Sequence, residues 1–254
     1  MRIDCHNHCS GVRGRWPSVE DVVAGMGKLG IEKTCCSLPV IRGDAGPEAV
    51  REANDDILGC MQRFPDAILG QCFVNPGYAR HAQDEITRCV VDGGMSGVKL
   101  YHQYRIDEPV QFPIVERCIE LGIPVLMHAG HPTTPDSMPG QPRLSSGEHF
   151  VRVAKRYPEA LLICAHIGGG GDWEWQLKAL REVPNVFLDT SGSVIDQGMI
   201  ERCVRDLGAE RLLFGTDMNL VRGVGKLLDA RITERQREKV FGLNFSKLLR
   251  RRRI

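Results

Sequence analysis

The stretch Ile3-Asp4-Cys5-His6-Asn7-His8 decides how the rest of the chain is read. A short apolar run leads into two histidines one residue apart. In a strand, residues i and i+2 point the same way, with Cα atoms about 6.6 Å apart. His6 and His8 therefore project together from a strand end and can hold one cation. A lone His-x-His is weak evidence, because paired histidines are often merely hydrogen-bonded. Its weight depends on how the other strands end.

Short β-branched runs at 2–6, 31–37, 68–74, 96–101, 123–128, 160–166, 185–190 and 211–216 alternate with charged, helix-periodic segments at 18–29, 47–63, 78–92, 109–121, 146–157, 173–182 and 197–207. This alternation predicts parallel strands with crossover helices. Eight such units in 254 residues suit a closed α/β barrel, a single (β/α)8 or TIM-like barrel with some distortion and an extra C-terminal helix. Ser18 with Asp21, and Ser146 with Glu148, read as helix starts, and Thr233 and Asn244 as N-caps of two final helices. No linker or composition break divides residues 1–254, so one domain is expected.

Barrel enzymes place their chemistry at the C-terminal ends of the strands. Four of the eight histidines, His6, His8, His128 and His166, fall there with an apolar strand just before them. The ends read Asp4 to His8, Lys99-Leu100-Tyr101-His102, Met127-His128, Ala165-His166, Asp189-Thr190-Ser191 and Thr216-Asp217. His128 closes the apolar run Ile123 to Met127, where an imidazole without a partner is costly. Asp217 closes an equally apolar run and carries a charge, so a neighbouring cation would keep it ionised. An N-cap role is the bland alternative for Asp217. His166 precedes Ile167 and four glycines; it reads as a ligand or as a polarising acid/base, and the second is favoured. No Gly-Lys-Ser/Thr follows, so the glycines are not a phosphate loop. Lys99 has three readings: a substrate-binding cation, a carbamylated bridge between two metals, or a lysine snorkelling from the barrel end. Arg42, Tyr101, His102 and Arg105 lie on loops after strands two and four, as substrate contacts or as solvent-facing residues.

Composition narrows the class. Lys plus Arg number 33 against 32 Asp plus Glu, so no nucleic-acid surface is expected. No apolar stretch approaches the roughly 20 residues of a membrane span. Ten scattered cysteines without a Cys-x-x-Cys pair, several in apolar runs, read as small hydrophobes in a reducing cytoplasm. The basic run at 250–253 reads as a solvated helix end. The expected partner is a small-molecule substrate, and self-association into a homo-oligomer is compatible with the chain.

These motifs resemble the amidohydrolase superfamily, specifically its amidohydrolase-2 branch of hydrolases and aminocarboxymuconate semialdehyde-type decarboxylases. The resemblance rests on Ile3 to His8, Gly97-Val98-Lys99-Leu100, Val125 to His128, Ala165 to Gly169, Leu213 to Asp217 and the late Asn244 before Leu248-Leu249. It covers nearly the whole chain, and the combination is specific although no single motif is. It implies a divalent metal on His6, His8, His128 and Asp217, with His166 turned to substrate. Zinc is favoured over manganese, iron or nickel, and one ion over two. Met218-Asn219 and Tyr101-His102 depart from the branch at the mouth and bear on substrate. The chain is also shorter than the branch's decarboxylases, which leaves less sequence for a lid.

The expected reaction is hydrolysis of a small amide, ester or lactone. A metal-activated water attacks, Asp217 accepts and passes on the proton, and His166 stabilises developing charge. The alternative is non-oxidative decarboxylation of a small carboxylic acid at the same metal. More distant rivals are a TatD-like nuclease, which would want Gly-Glu-x-Gly-Leu-Asp where this chain has Gly-Val-Lys-Leu, and a non-catalytic metal-binding barrel.

Overall fold

The computed structural model describes residues 1–12, 14, 16–41, 44–131, 140–141, 143–167 and 171–254. Among them run eight parallel strands: β1 (Ile3–Asn7), β2 (Lys33–Cys36), β3 (Ile68–Phe73), β4 (Gly97–Leu100), β5 (Pro124–Met127), β6 (Leu161–Cys164), β7 (Val186–Asp189) and β8 (Leu212–Leu213). Each pairs in parallel with the next. The helices between them are α1 (Val19–Leu29), α2 (Pro47–Arg63), α3 (Ala79–Ile86), α4 (Phe112–Leu121), α5 (Gly147–Arg156), α6 (Trp173–Leu180) and α7 (Met199–Leu207). After β8 come α8 (Leu220–Asp229), α9 (Glu234–Glu238) and α10 (Asn244–Leu249). This is the expected (β/α)8 barrel.

Strand eight is shorter than its apolar run predicts. Phe214 N–H donates to Val240 O at 3.0 Å, and Gly215 N–H to Thr190 Oγ1 at 3.2 Å. The backbone beyond Leu213 thus leaves the β7 ladder. Single bonds to β1 carry it round instead: Cys5 N–H to Phe214 O at 2.8 Å and Asp217 N–H to His6 O at 2.8 Å. Strand one itself shifts register, since Asp4 faces Thr34 but Asn7 faces Cys36. One extra residue therefore sits in β1 at the histidines, and such a bulge re-aims side chains.

Two apolar layers hold the barrel. Ile3, Cys5, Cys35, Leu126, Ile163 and Leu213 fill its interior, and a larger layer packs strands against helices. All ten cysteines are buried and free. Burial pushes the Cys35 thiol up to about 12, against the opposing effect of its hydrogen bond with Ser96. Thiolates are the reactive form, so a thiol reagent should label the native protein slowly and all ten cysteines after unfolding. Rapid native labelling would contradict this packing.

Caps follow the sequence in part. Ser18 Oγ accepts from Asp21 N–H at 3.2 Å, and Thr233 Oγ1 from Gln236 N–H at 3.3 Å. At Ser146 the partner is His149, whose Nδ1 accepts from Ser146 N–H at 2.9 Å. Asn244 is not a cap: its Nδ2 donates to Ala209 O and Leu212 O at 2.7 and 2.8 Å, pinning α10 under β8. Nor is the basic tail simply solvated. Arg252 donates to Val90 O at 2.6 Å and Gly94 O at 3.2 Å, where cations suit carbonyls left over at a helix end.

Candidate active site

His6 and His8 leave the end of β1 with ring centroids 5.3 Å apart and both rings buried. The second ring nitrogen of each has a definite partner. His6 Nδ1 lies 2.9 Å from Asp189 Oδ2, and His8 Nδ1 lies 2.7 Å from Ser37 O. Because those partners accept, Nδ1 carries the proton in each neutral ring and Nε2 carries the lone pair. Burial, with Lys99 close by, lowers His6 to about 3, so it rests neutral. Both Nε2 atoms converge on Asp217: His8 Nε2 is 3.1 Å and His6 Nε2 4.0 Å from its Oδ1. Ligand atoms of these three residues lie within 4.8 Å of one another. Two acceptors facing across 3.1 Å require a cation or a proton between them. The N, N, O donor set fits a divalent cation, and the outward partners of the histidines are of the kind that orient metal ligands.

Asp217 is reached through strained backbone. His166, Asp217 and Met218 take φ of 62°, 45° and 67°, and among the described residues no other non-glycine has positive φ. Such conformations persist where surrounding contacts over-determine them. Asp217 N–H donates to His6 O, Met218 N–H to Asn7 Oδ1 at 3.0 Å, and His166 N–H to Asp189 Oδ1 at 3.2 Å. Burial pushes the Asp217 carboxyl up, but His166, His8 and His6 around it hold it well below the usual carboxylate range.

His166 extends the site. Its Nδ1 is 3.0 Å from Ser191 Oγ and 3.6 Å from Asp217 Oδ2, and its Nε2 is 2.9 Å from His128 Nδ1. Burial lowers both His166 and His128. His128 belongs to neither ligand grouping whose atoms lie within 4.8 Å; it faces His166, Gln141 Oε1 at 2.8 Å and the Tyr101 ring at 4.3 Å. Lys99 is fully buried, with Nζ 2.9 Å from His6 Nε2, and burial lowers it to about 8.

Of the loop residues, Tyr101 is buried against His128 and His102. His102 Nε2 lies 3.2 Å from Ile41 O, tying the β4 loop to the β2 loop. Arg105 is exposed, and its backbone N–H donates to Glu108. Arg42 lies outside the described residues, as do 168–170 of the glycine run.

Two buried aspartates were not singled out as functional by their sequence. Asp189 accepts from His6 Nδ1–H, from His166 and Ser191 N–H and from Ser191 Oγ–H. Burial works against ionisation there, but His6 and these donors hold the carboxyl well below its ordinary range. Gly215 makes room for it: a Cβ there would sit 3.0 Å from Asp189 Oδ1. Its position in Asp189-Thr190-Ser191, ending an apolar strand, was the available signal. Asp4 accepts at Oδ1 from His6 and Thr216 N–H and at Oδ2 from the Thr34 and Thr216 hydroxyls. Burial outweighs those bonds and pushes it up to about 7.

The two should respond oppositely to amidation. An Asn at position 4 keeps the Oδ1 acceptor, and both hydroxyls can rotate to accept from Nδ2. Asp4→Asn should therefore change stability by no more than about 1 kcal/mol near neutrality. The folded carboxyl at about 7 lies above its ordinary 3.8, so wild-type stability falls as pH rises between those values. The variant should gain on wild type from pH 5 to pH 8 in thermal melts. A loss of several kcal/mol, or the opposite pH trend, would refute this account of Asp4.

The family model described as amidohydrolase matches residues 3–251. The chain belongs to the amidohydrolase family. A curated relative, the 2-amino-3-carboxymuconate-6-semialdehyde decarboxylase of Dictyostelium discoideum, is 22% identical over 218 residues, 73% of this chain. The match spans 60% of that relative's length. The 2,6-dihydroxybenzoate decarboxylase from Rhizobium superposes with TM-score 0.78 at 19% identity, covering 98% of both chains. The dihydroxybenzoic acid decarboxylase from Polaromonas sp. JS666, with bound manganese and 2-nitroresorcinol, superposes with TM-score 0.76 at 19% identity, covering 98% of this chain and 96% of the other. At these identities the structural likeness establishes the fold.

These relatives correct the expectation of hydrolysis, since all three are decarboxylases. The preference for zinc also goes unsupported, because the Polaromonas enzyme holds manganese. Among the described residues, no helix is long and apolar enough to cross a membrane.

Proposed function

We propose that this amidohydrolase-family protein is a metal-dependent, non-oxidative decarboxylase of a small aromatic or similarly unsaturated carboxylic acid. The observation that carries the reading is the confrontation of His8 Nε2 and Asp217 Oδ1 at 3.1 Å, with His6 Nε2 alongside. Decarboxylase relatives supply the reaction class. A divalent cation on His6, His8 and Asp217, with His128 as the further ligand that the family resemblance implies, would fix the substrate's acid group and draw electron density from it as carbon dioxide leaves.

The reaction R–COO⁻ + H⁺ → R–H + CO₂ breaks one C–C bond and forms one C–H bond, so the protein must deliver a proton. Asp217 is suited to that task. Its side chain is 26% exposed, whereas Asp189 is sealed in. Resting ionised, Asp217 first accepts a proton from solvent or from a substrate hydroxyl, then gives it to the carbon that loses the carboxylate. His166, 3.6 Å from Asp217 Oδ2, steadies the charge that this transfer leaves. Tyr101 and His128 form an aromatic wall against which a flat acid can pack.

The test is direct. Protein loaded with Mn²⁺ is offered a panel of hydroxybenzoates and unsaturated dicarboxylates, and carbon dioxide is measured. Release matching acid consumed, and abolished by a chelator, supports the reading. A panel left untouched, or turnover without carbon dioxide, contradicts it.

A further inference from the structure

Lys99 bears on the metal part of the function just proposed, and the inference rests on that reading. Lys99 stands on β4, in register with Phe73 of β3 and Leu126 of β5, and is among the largest fully buried side chains. A lysine so placed would ordinarily face a carboxylate. Among the described residues none comes within 4.0 Å of Nζ; the partner is His6 Nε2 at 2.9 Å. A buried ammonium bonded to a neutral imidazole is costly unless the site has a use for it.

Asp189 fixes the other side of the ring. With Nδ1–H directed to Asp189 Oδ2, His6 offers a single lone pair at Nε2. Asp217 Oδ1 and His8 Nε2 converge on the same side of the site. One lone pair cannot serve an ammonium and a metal ion together.

We propose that Lys99 competes with the divalent cation for His6 Nε2, and that this competition sets how tightly the protein holds its metal. To admit the ion, Nζ must withdraw from Nε2. The flexible four-carbon stem allows that, but the ammonium stays buried nearby. Two like charges a few ångströms apart, shielded from water, repel strongly. Both effects loosen the ion.

The test reads ion binding. Lys99→Met and Lys99→Gln remove the charge while keeping much of the bulk. Full-length wild type and both variants are stripped with EDTA, checked for wild-type circular dichroism, and titrated with Mn²⁺. Each folded variant should bind Mn²⁺ about 10–100-fold more tightly than wild type, the range over which groups around a site tune metal affinity. If one variant does not fold, the other decides. A folded variant that binds Mn²⁺ no more tightly than wild type overturns the proposal. Failure of the decarboxylase reading would look different, with carbon dioxide absent and the affinity gain intact.

Discussion

Replacing Asp217 by Asn should lower kcat/KM by about 10³–10⁴-fold while leaving the fold intact, because under the proposed function one change removes a metal-binding charge and the proton carrier. Asn suits the test because residue 217 has φ of 45°, and Asn tolerates the left-handed region better than most residues. The backbone bonds that set this turn, Asp217 N–H to His6 O and Met218 N–H to Asn7 Oδ1, do not involve the carboxylate. The melting temperature should thus stay near wild type while bound metal falls. A variant with near-normal turnover would remove Asp217 from the proton path.

Asp189→Asn should be nearly as damaging, although Asp189 lies behind the ring it supports. An Asn carbonyl oxygen at the Oδ1 position can still accept from His166 and Ser191. Its NH₂ group then meets His6 Nδ1–H, donor against donor. To relieve this, His6 shifts its proton to Nε2, and the lone pair that faces Lys99 and Asp217 is lost. The expected result is a 10–100-fold loss of metal affinity and a ~10²–10⁴-fold loss of activity. The contrast with the mild effect expected for Asp4→Asn is the sharper check, since both aspartates are fully buried in barrel strands. Equal effects of the two substitutions would refute the tautomer argument.

Much of this site was legible in the sequence because strand periodicity and barrel topology fix where strand ends go. His6, His8, His166 and Asp217 meet as their positions implied. Side-chain direction was less legible. The extra residue in β1 and the positive φ values at the ends of β6 and β8 arise from hydrogen bonds across the barrel, which no local pattern announces. Ser37 was invisible for a similar reason, since it acts through its carbonyl, which every residue has. Asn244 and Arg252 misled because capping and solvation are local readings, while their contacts lie 32 and 162 residues away. The reaction was the least legible. Hydrolysis and decarboxylation both call for a cation, a carboxylate and a histidine, and strand ends alone do not separate them.

The most direct measurement runs the Mn²⁺-loaded protein with an accepted acid in deuterated, ¹⁸O-enriched water and analyses the products by mass spectrometry. Decarboxylation at this centre predicts carbon dioxide equal to acid consumed, deuterium at the vacated carbon, and no solvent oxygen in the organic product. Solvent ¹⁸O in that product, with no carbon dioxide released, would contradict it.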